Sequence, residues 1–307
     1  MRSKGKTVRL FLVDGTPSGV LTAEIMNWTG KITVAPRSQL PDLAKRPEIN
    51  KTGVYILVGE SPDDPLETMV YIGESDSVWK RLTQHSRDAG KDFWQRTIII
   101  TSKDENLTKS HVRYLESRLV ELVSSAGRAR LQNGTAPDPH QYQLPEPDIA
   151  DMEYFLEQVE MLLPVLGFTF VLPLPKVLGE VSQGEDVKLP MFELVYAGTK
   201  ALAVEQNDEF IVLKGSTARK KHAKSLPKPY RQIRERLVEE GKLKDSDKEG
   251  YWVFTQDVPF RSPSTAANIV SGVSLNGRIK WKVKGTKKTY AEWQNEQVEA
   301  ADNPAST

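Results

Sequence analysis

Two short apolar runs constrain this chain most: 53–59 (GVYILVG) and 69–73 (MVYIG). Each is strand-length and rich in β-branched and aromatic residues, and the turn-forming GESPDDP at 59–65 separates them. They read as a buried hairpin. A helix over 77–88 follows directly, with Asp76 as its expected N-cap. A third strand is expected at 97–101 (TIIIT). A long helix capped by Thr108 then runs to about Ser124 and is closed by Gly127.

Upstream, 7–13 (TVRLFLV) alternates as a strand does, DGTPSG at 14–19 is a turn, and 31–35 is a second short strand. A short helix is expected over 38–49, ended by Pro47. Residues 1–50 are taken as an extension packed on the domain of 51–171. That domain closes with an amphipathic helix over 148–163, stopped by Pro164. The most hydrophobic segment, 161–175, is too short to span a bilayer and is broken by Pro164, Gly167 and Pro173. It is expected to be a buried helix end running into a strand.

Three prolines and two glycines within 172–190 mark a linker, placed at 172–192. A smaller unit over 193–293 is expected to hold strands near 194–198, 201–205, 210–214, 251–255 and 279–283. Its helices are expected near 229–240 and over 264–271, the latter capped by Ser264. Asn276-Gly277 reads as a tight hairpin turn. Residues 294–307 are an acidic tail expected to fray. The fold class is α+β: a small antiparallel sheet flanked by helices, followed by a second small α+β domain.

The chain has no cysteine, which excludes disulfides, cysteine nucleophiles, Fe–S clusters and cysteine-bound zinc, and suits a reducing compartment. With no signal-peptide pattern at the start, a cytoplasmic location and no membrane partner are expected. The net charge of +1 conceals an uneven distribution. Residues 145–209 hold 3 basic and 13 acidic side chains, whereas 210–290 hold 19 basic and 7 acidic ones. A cationic C-terminal block of this kind suits a polyanion.

Candidate site residues come from the two central helices. In TKSHVRYLESRLVELVSS, Val112, Leu115, Leu119, Val120, Leu122 and Val123 form the apolar face. Glu116 lies four residues from both Val112 and Val120, so its carboxylate emerges within that stripe, whereas Arg118 and Glu121 point away. An inward carboxylate needs a positive partner, and Arg81, His85 or a metal ion could serve. Arg81 and His85 lie one turn apart on the earlier helix, and Tyr55 and Tyr71 sit on the two hairpin strands. A carboxylate to hold Mg²⁺ or Mn²⁺, a fixed cation and a proton acceptor are the groups that phosphodiester hydrolysis needs.

Gly53-Val54-Tyr55, then Tyr71-Ile72-Gly73, then Arg81 and Glu116, resemble in order and setting the GIY-YIG nuclease family. Asn133, in LQNG, is the candidate for the family's asparagine. The pairing of Arg81 with His85 is similar to the restriction-endonuclease branch. The resemblance covers about 50–135, with GVY in place of GIY and a longer interval between the motifs. It implies a small sandwich around a three-stranded antiparallel sheet, and metal-dependent cleavage of DNA in restriction or phage defence. Glu116 would bind the single Mg²⁺ or Mn²⁺ ion, Arg81 would contact the scissile phosphate, and Asn133 would support the site. Tyr55 or Tyr71, with His85, would activate water, and either tyrosine could be the base. Glu74, directly after YIG, is expected to be a solvent-facing acid at the helix entry, with a second metal neighbour as the alternative. The alternative is a catalytically inactive nucleic-acid-binding protein that keeps the nuclease fold.

EFIVLKGSTARKKHAKS, followed by SPSTAANIVSGVSLNGRIKWKVKGTKKTYAEW, resembles the DUF4357 type of domain over about 193–293. Arg219, Lys220, Lys221, Lys224, Lys280 and Lys282 are its candidate nucleic-acid contacts, interleaved with Tyr230, Trp252 and Trp281. Trp281 itself reads as core.

Overall fold

The computed structural model describes residues 5–62, 67–133, 144–173, 190–206 and 209–302, and the chain divides at Pro173/Leu174 into two units. Most of the interval expected to be a linker, 174–189, lies outside the described residues. Both units mix strands and helices, so the chain is α+β.

The expected hairpin is β4 (Gly53–Glu60) and β5 (Thr68–Ser75), in register with Tyr55 opposite Gly73 and Leu57 opposite Tyr71. On its other side β4 pairs with β6 (Trp94–Ser102). Residues 1–50 do more than pack on this sheet. They supply β1 (Val8–Leu12), β2 (Leu21–Ile25) and β3 (Gly30–Pro36), and β3 pairs antiparallel with β6 over seven residue pairs. With β7 (Arg130–Leu131), parallel to β5, the sheet has seven strands in the order β1-β2-β3-β6-β4-β5-β7. The six buried positions at the start of β4 follow from its central place, since both of its faces are covered.

Strand alternation divides the core in two. Val54, Ile56, Val70, Ile72, Ile98 and Ile100 face α3 (Lys109–Ala126) and α4 (Glu146–Val165). Tyr55, Leu57, Tyr71 and Ile99 face α1 (Leu40–Leu43) and α2 (Val78–His85). Helix α3 starts as expected: Thr108 accepts a hydrogen bond from the His111 N–H. It ends at Gly127, whose φ of 60° suits glycine.

Several local expectations are corrected. Ser77, not Asp76, occupies the N-cap position of α2, because β5 runs to Ser75 and the Ser75 hydroxyl bonds both backbone groups of Ser77. Arg118 does not point away. Its guanidinium reaches Glu153 on α4, Nε to Oε1 at 2.7 Å, and also pairs with Glu121. Helix α4 passes through Pro164 to Val165, and the described residues 166–173 that follow it hold a 3₁₀ turn and no strand. Gly167, at φ 86°, turns the chain back, and Phe168, Phe170 and Val171 bury in the α3/α4 core through a 3₁₀ turn. The apolarity of 161–175 thus serves helix packing.

The second unit has a five-stranded sheet, β14-β10-β9-β8-β15. Its strands are β8 (Met191–Tyr196), β9 (Thr199–Gln206), β10 (Glu209–Val212), β14 (Val258–Phe260) and β15 (Lys282–Val283). A three-stranded sheet joins β11 (Thr217–Arg219), β13 (Tyr251–Phe254) and β12 (Leu243–Asp245). Helices α5 (Lys228–Glu239) and α6 (Pro263–Ser271) complete a core around Phe192, Phe210, Phe254 and Trp281. Trp281 is core as expected, fully buried with its indole N–H donated to the Pro263 carbonyl.

Ser262, not Ser264, caps α6; Ser264 instead accepts the Gly277 N–H. Asn276-Gly277 makes no hairpin. Asn276 caps the short helix α7 (Gly277–Lys280), because a Cβ on Gly277 would lie 2.2 Å from the Pro263 carbonyl and only glycine fits there. The expected strand over 279–283 shrinks to β15. The tail continues as a helix, α8 (Tyr290–Asp302), and 303–307 lie outside the described residues.

Candidate functional site

The two glycines of the motifs have steric reasons. A Cβ on Gly53 would lie 2.5 Å from the Ile100 carbonyl oxygen, and one on Gly73 would lie 2.3 Å from the Tyr55 hydroxyl. Because Tyr55 stands opposite Gly73, the missing side chain is the space that the phenol occupies. Tyr55 is 1% exposed, and its Oη lies 2.8 Å from Nε2 of His85, itself 4% exposed. Tyr71 closes the cluster, its ring centroid 6.2 Å from Tyr55 and 5.3 Å from His85. Strands β4 and β5 and helix α2 therefore bring Tyr55, Tyr71 and His85 together, as their positions in sequence led one to expect.

Charge around this cluster is mainly positive. Burial, with the Arg81 and Lys91 cations beside it, pushes the His85 imidazole down to about 4 against a smaller opposing pull from Asp88. His85 is therefore neutral near pH 7. Burial drives the Tyr55 hydroxyl far above the ordinary phenol range, helped by Tyr71 and opposed by Arg81. Arg81 is held charged above its usual value first by the Tyr55 hydroxyl, against burial. It also donates to Gln84 Oε1 at 3.0 Å and makes no salt bridge with Glu116 among the described residues.

Glu116 comes from α3, which covers the opposite face of the sheet. Among the described residues its half-buried carboxylate has no hydrogen bond or ion pair. Burial, then the neighbouring Glu74, raises it to about 7, while Lys109, Arg113 and Arg81 pull the other way. Arg81, the smallest of these influences, thus acts on Glu116 from the helix that covers the other face of the sheet. Glu74 is not the solvent-facing acid expected. It lies within β5, opposite Val54, with its side chain 15% exposed and 2.6 Å from the Lys109 ammonium.

Asn133 sits where its amide completes the edge of β5. Its Oδ1 accepts the Ile72 N–H at 3.0 Å, and its Nδ2 donates to the Ile72 carbonyl at 2.8 Å. The asparagine thus acts as one more residue of β7 and fixes the strand between Tyr71 and Gly73.

The Glu116 carboxylate, half-buried and without a protein partner among the described residues, is a hard oxygen donor of the kind Mg²⁺ or Mn²⁺ takes, whereas Glu74 is committed to Lys109. Among the described residues no group of three or more His, Asp or Glu side chains could hold a metal ion. The protein would therefore supply Glu116, with Glu74 nearby, and leave other positions to water and phosphate oxygens, as is usual for Mg²⁺.

Sequence reasoning missed Lys91, whose ammonium lies 3.1 Å from the centroid of the Tyr71 ring. It sits in a single 3₁₀ turn, Ala89–Lys91, and no helical or strand period ties that turn to Tyr71.

In the second unit Lys221, Lys224, Lys280 and Lys282 are exposed and Arg219 is half-buried. Lys220 is committed to Asp245, 2.8 Å away. Arg219 to Lys224 follow β11, whereas Lys280 and Lys282 belong to α7 and β15. Beneath the first group lies Arg234, 1% exposed, which donates to the carbonyls of Ile269 and Arg219, and to that of Lys220 at 3.2 Å. Burial without a carboxylate partner, with Arg219 nearby, lowers its guanidinium to about 10.

Residues 192–294 match the family described as a domain of unknown function, DUF4357, so the domain expected at 193–293 is found. That match does not reach the first unit. Neither the curated proteins nor the solved structures compared with the chain give a match. No helix among the described residues is long and apolar enough to cross a membrane.

Proposed function

We propose that the first unit is a metal-dependent DNA endonuclease of the GIY-YIG kind. The observation that carries it is a convergence. A buried Tyr55–His85 hydrogen bond and the Arg81 guanidinium lie on one face of the sheet, and the Glu116 carboxylate, on which Arg81 acts, comes from the other.

His85 is neutral, so its Nε2 can accept the Tyr55 hydroxyl proton in the tautomer that carries hydrogen on Nδ1. The phenol oxygen is then free to receive a proton from water as that water attacks phosphorus, and the phenol's own proton passes to His85. Tyr55 alone would be a poor base, because burial opposes its phenolate. Arg81 supplies a fixed cation for the charge that grows on the phosphoryl oxygens. A divalent ion held by Glu116 would supply Lewis-acid stabilisation of that same charge.

The second unit would hold the chain on DNA through Arg219, Lys221, Lys224, Lys280 and Lys282, with Lys220 weakened as a contact by Asp245. The setting, restriction or phage defence, rests on the resemblance alone, and a cytoplasmic location on the lack of cysteine and of a signal-peptide pattern.

The test is incubation of the full chain with plasmid and single-stranded DNA in Mg²⁺, Mn²⁺ or EDTA. Nicking that needs metal and disappears in Glu116→Gln and Arg81→Ala supports the enzyme. Binding without cleavage in every metal overturns it and leaves the alternative, an inactive nucleic-acid-binding protein on the same fold.

A further inference from the structure

Lys91 reaches its position by construction. Asp88 accepts the Gly90 N–H at 2.9 Å, and the Lys91 N–H is donated to the Asp88 carbonyl at 3.0 Å, which closes the turn. From the far side of the β5 edge, Gln132 donates its Nε2 to the Gly90 carbonyl at 2.8 Å, while its backbone N–H pairs with Val70. Turn and sheet edge are thus clamped together, and the ammonium is delivered over a face of the half-buried Tyr71 ring, 3.1 Å from its centroid.

Asp88 attracts it more than Arg81 repels it, but neither adjacent acid forms an ion pair with it. Asp92 is committed to Arg37, 2.8 Å away, and Asp88 is spent on capping the turn, so among the described residues Lys91 has no salt bridge. Lys91 and Arg81 both act on His85 and on each other. Two cations that repel one another, flanking two phenols and a neutral imidazole, mark a place prepared for an anion.

We propose that Lys91 is a second phosphate-contacting cation of the cleft, beside Tyr71 and His85, and that Gln132 is its positioning residue. The ligand class is the phosphodiester backbone of DNA, so the proposal rests on the nuclease reading for its substrate. The ammonium would take a non-bridging oxygen that Arg81 leaves free, and the Tyr71 ring would serve as the platform that holds it there.

The experiment measures binding of the full chain to a DNA duplex in EDTA, in the Glu116→Gln background so that nothing is cut, across a range of salt. Lys91→Gln is expected to weaken binding and to lower the slope of log K against log salt by about one phosphate contact. Lys91→Arg should restore the slope. Gln132→Leu, which releases the turn without touching the charge, should weaken binding and raise the mobility of Lys91. An unchanged slope in a Lys91→Gln protein that melts normally overturns the proposal. If that variant does not fold, an unchanged affinity in Gln132→Leu does so instead. Because no cleavage is read, a wild-type chain that never cuts DNA sinks the nuclease while leaving this measurement decisive for Lys91.

Discussion

The phenol oxygen of Tyr55 and Nε2 of His85 lie 2.8 Å apart inside the protein, joined across thirty residues of chain because Gly73 has no side chain. Gly73→Ala would place a methyl group 2.3 Å from the hydroxyl, and neither ring can retreat within a packed core. The expected result is a loss of about 1–3 kcal/mol in urea unfolding together with loss of cleavage. Tyr55→Phe should keep the fold and lose cleavage by about 10²–10⁴-fold. A Gly73→Ala protein of normal stability and activity would show that the pair is dispensable.

The His85 imidazole, at about 4, lies below its ordinary value because of burial and the Arg81 and Lys91 cations, with Asp88 opposing and the Tyr55 and Tyr71 phenols facing it. Between that value and the ordinary one the unfolded chain binds more protons than the folded one. Stability therefore falls as pH drops from about 6.5 towards 4, and is level with respect to this group above 6.5. Imidazole NMR signals should show His85 titrating near 4, and His85→Gln should remove that part of the acid sensitivity.

Glu116 behaves in the opposite sense. Raised to about 7 by burial and Glu74, it binds a proton in the folded chain where the unfolded chain has lost it. Its contribution is present below about 4.5 and is lost as pH rises through 7. Glu116→Gln should therefore melt higher than the wild type at pH 8 and at about the same temperature at pH 4. Adding Mg²⁺ or Mn²⁺ at pH 8 should raise the melting temperature of the wild type but not of Glu116→Gln, since binding to the folded state alone stabilises it. A metal response that survives the substitution would assign the ion elsewhere.

Arg234 is expected to hold the basic segment of the second unit in place through its bonds to the Arg219 and Lys220 carbonyls. Arg234→Met keeps most of the volume but leaves buried carbonyls without donors, at a cost of roughly 1–3 kcal/mol in urea unfolding. DNA affinity should fall with it. Lys221→Glu with Lys224→Glu should lower affinity and the salt slope at unchanged stability.

Asn133→Ala removes both side-chain bonds to Ile72 and frees the edge of β5. A loss of roughly 1–2 kcal/mol is expected. Hydrogen exchange should quicken at Ile72 more than at residues of β4, which β5 and β6 enclose.

What the sequence determined by itself was local and periodic. The hairpin of GVYILVG and MVYIG, the capping of α3 by Thr108 and the inward placement of Glu116 all follow from strand alternation, a cap side chain and helical spacing, and these act within a few residues. The limits of the DUF4357 domain were legible from its resemblance to that family. Tertiary structure decided what depends on contacts between distant segments. Residues 8–36 became three strands because β3 found the free edge of β6, and Asn276-Gly277 opened a helix because the Pro263 carbonyl leaves no room for a Cβ. Arg118 turned to Glu153, Glu74 to Lys109, and Lys91 to Tyr71. A turn has no period, and an ion pair costs or gains too little to leave a pattern along the chain. Partners of that kind are chosen only once the sheet has brought them within reach.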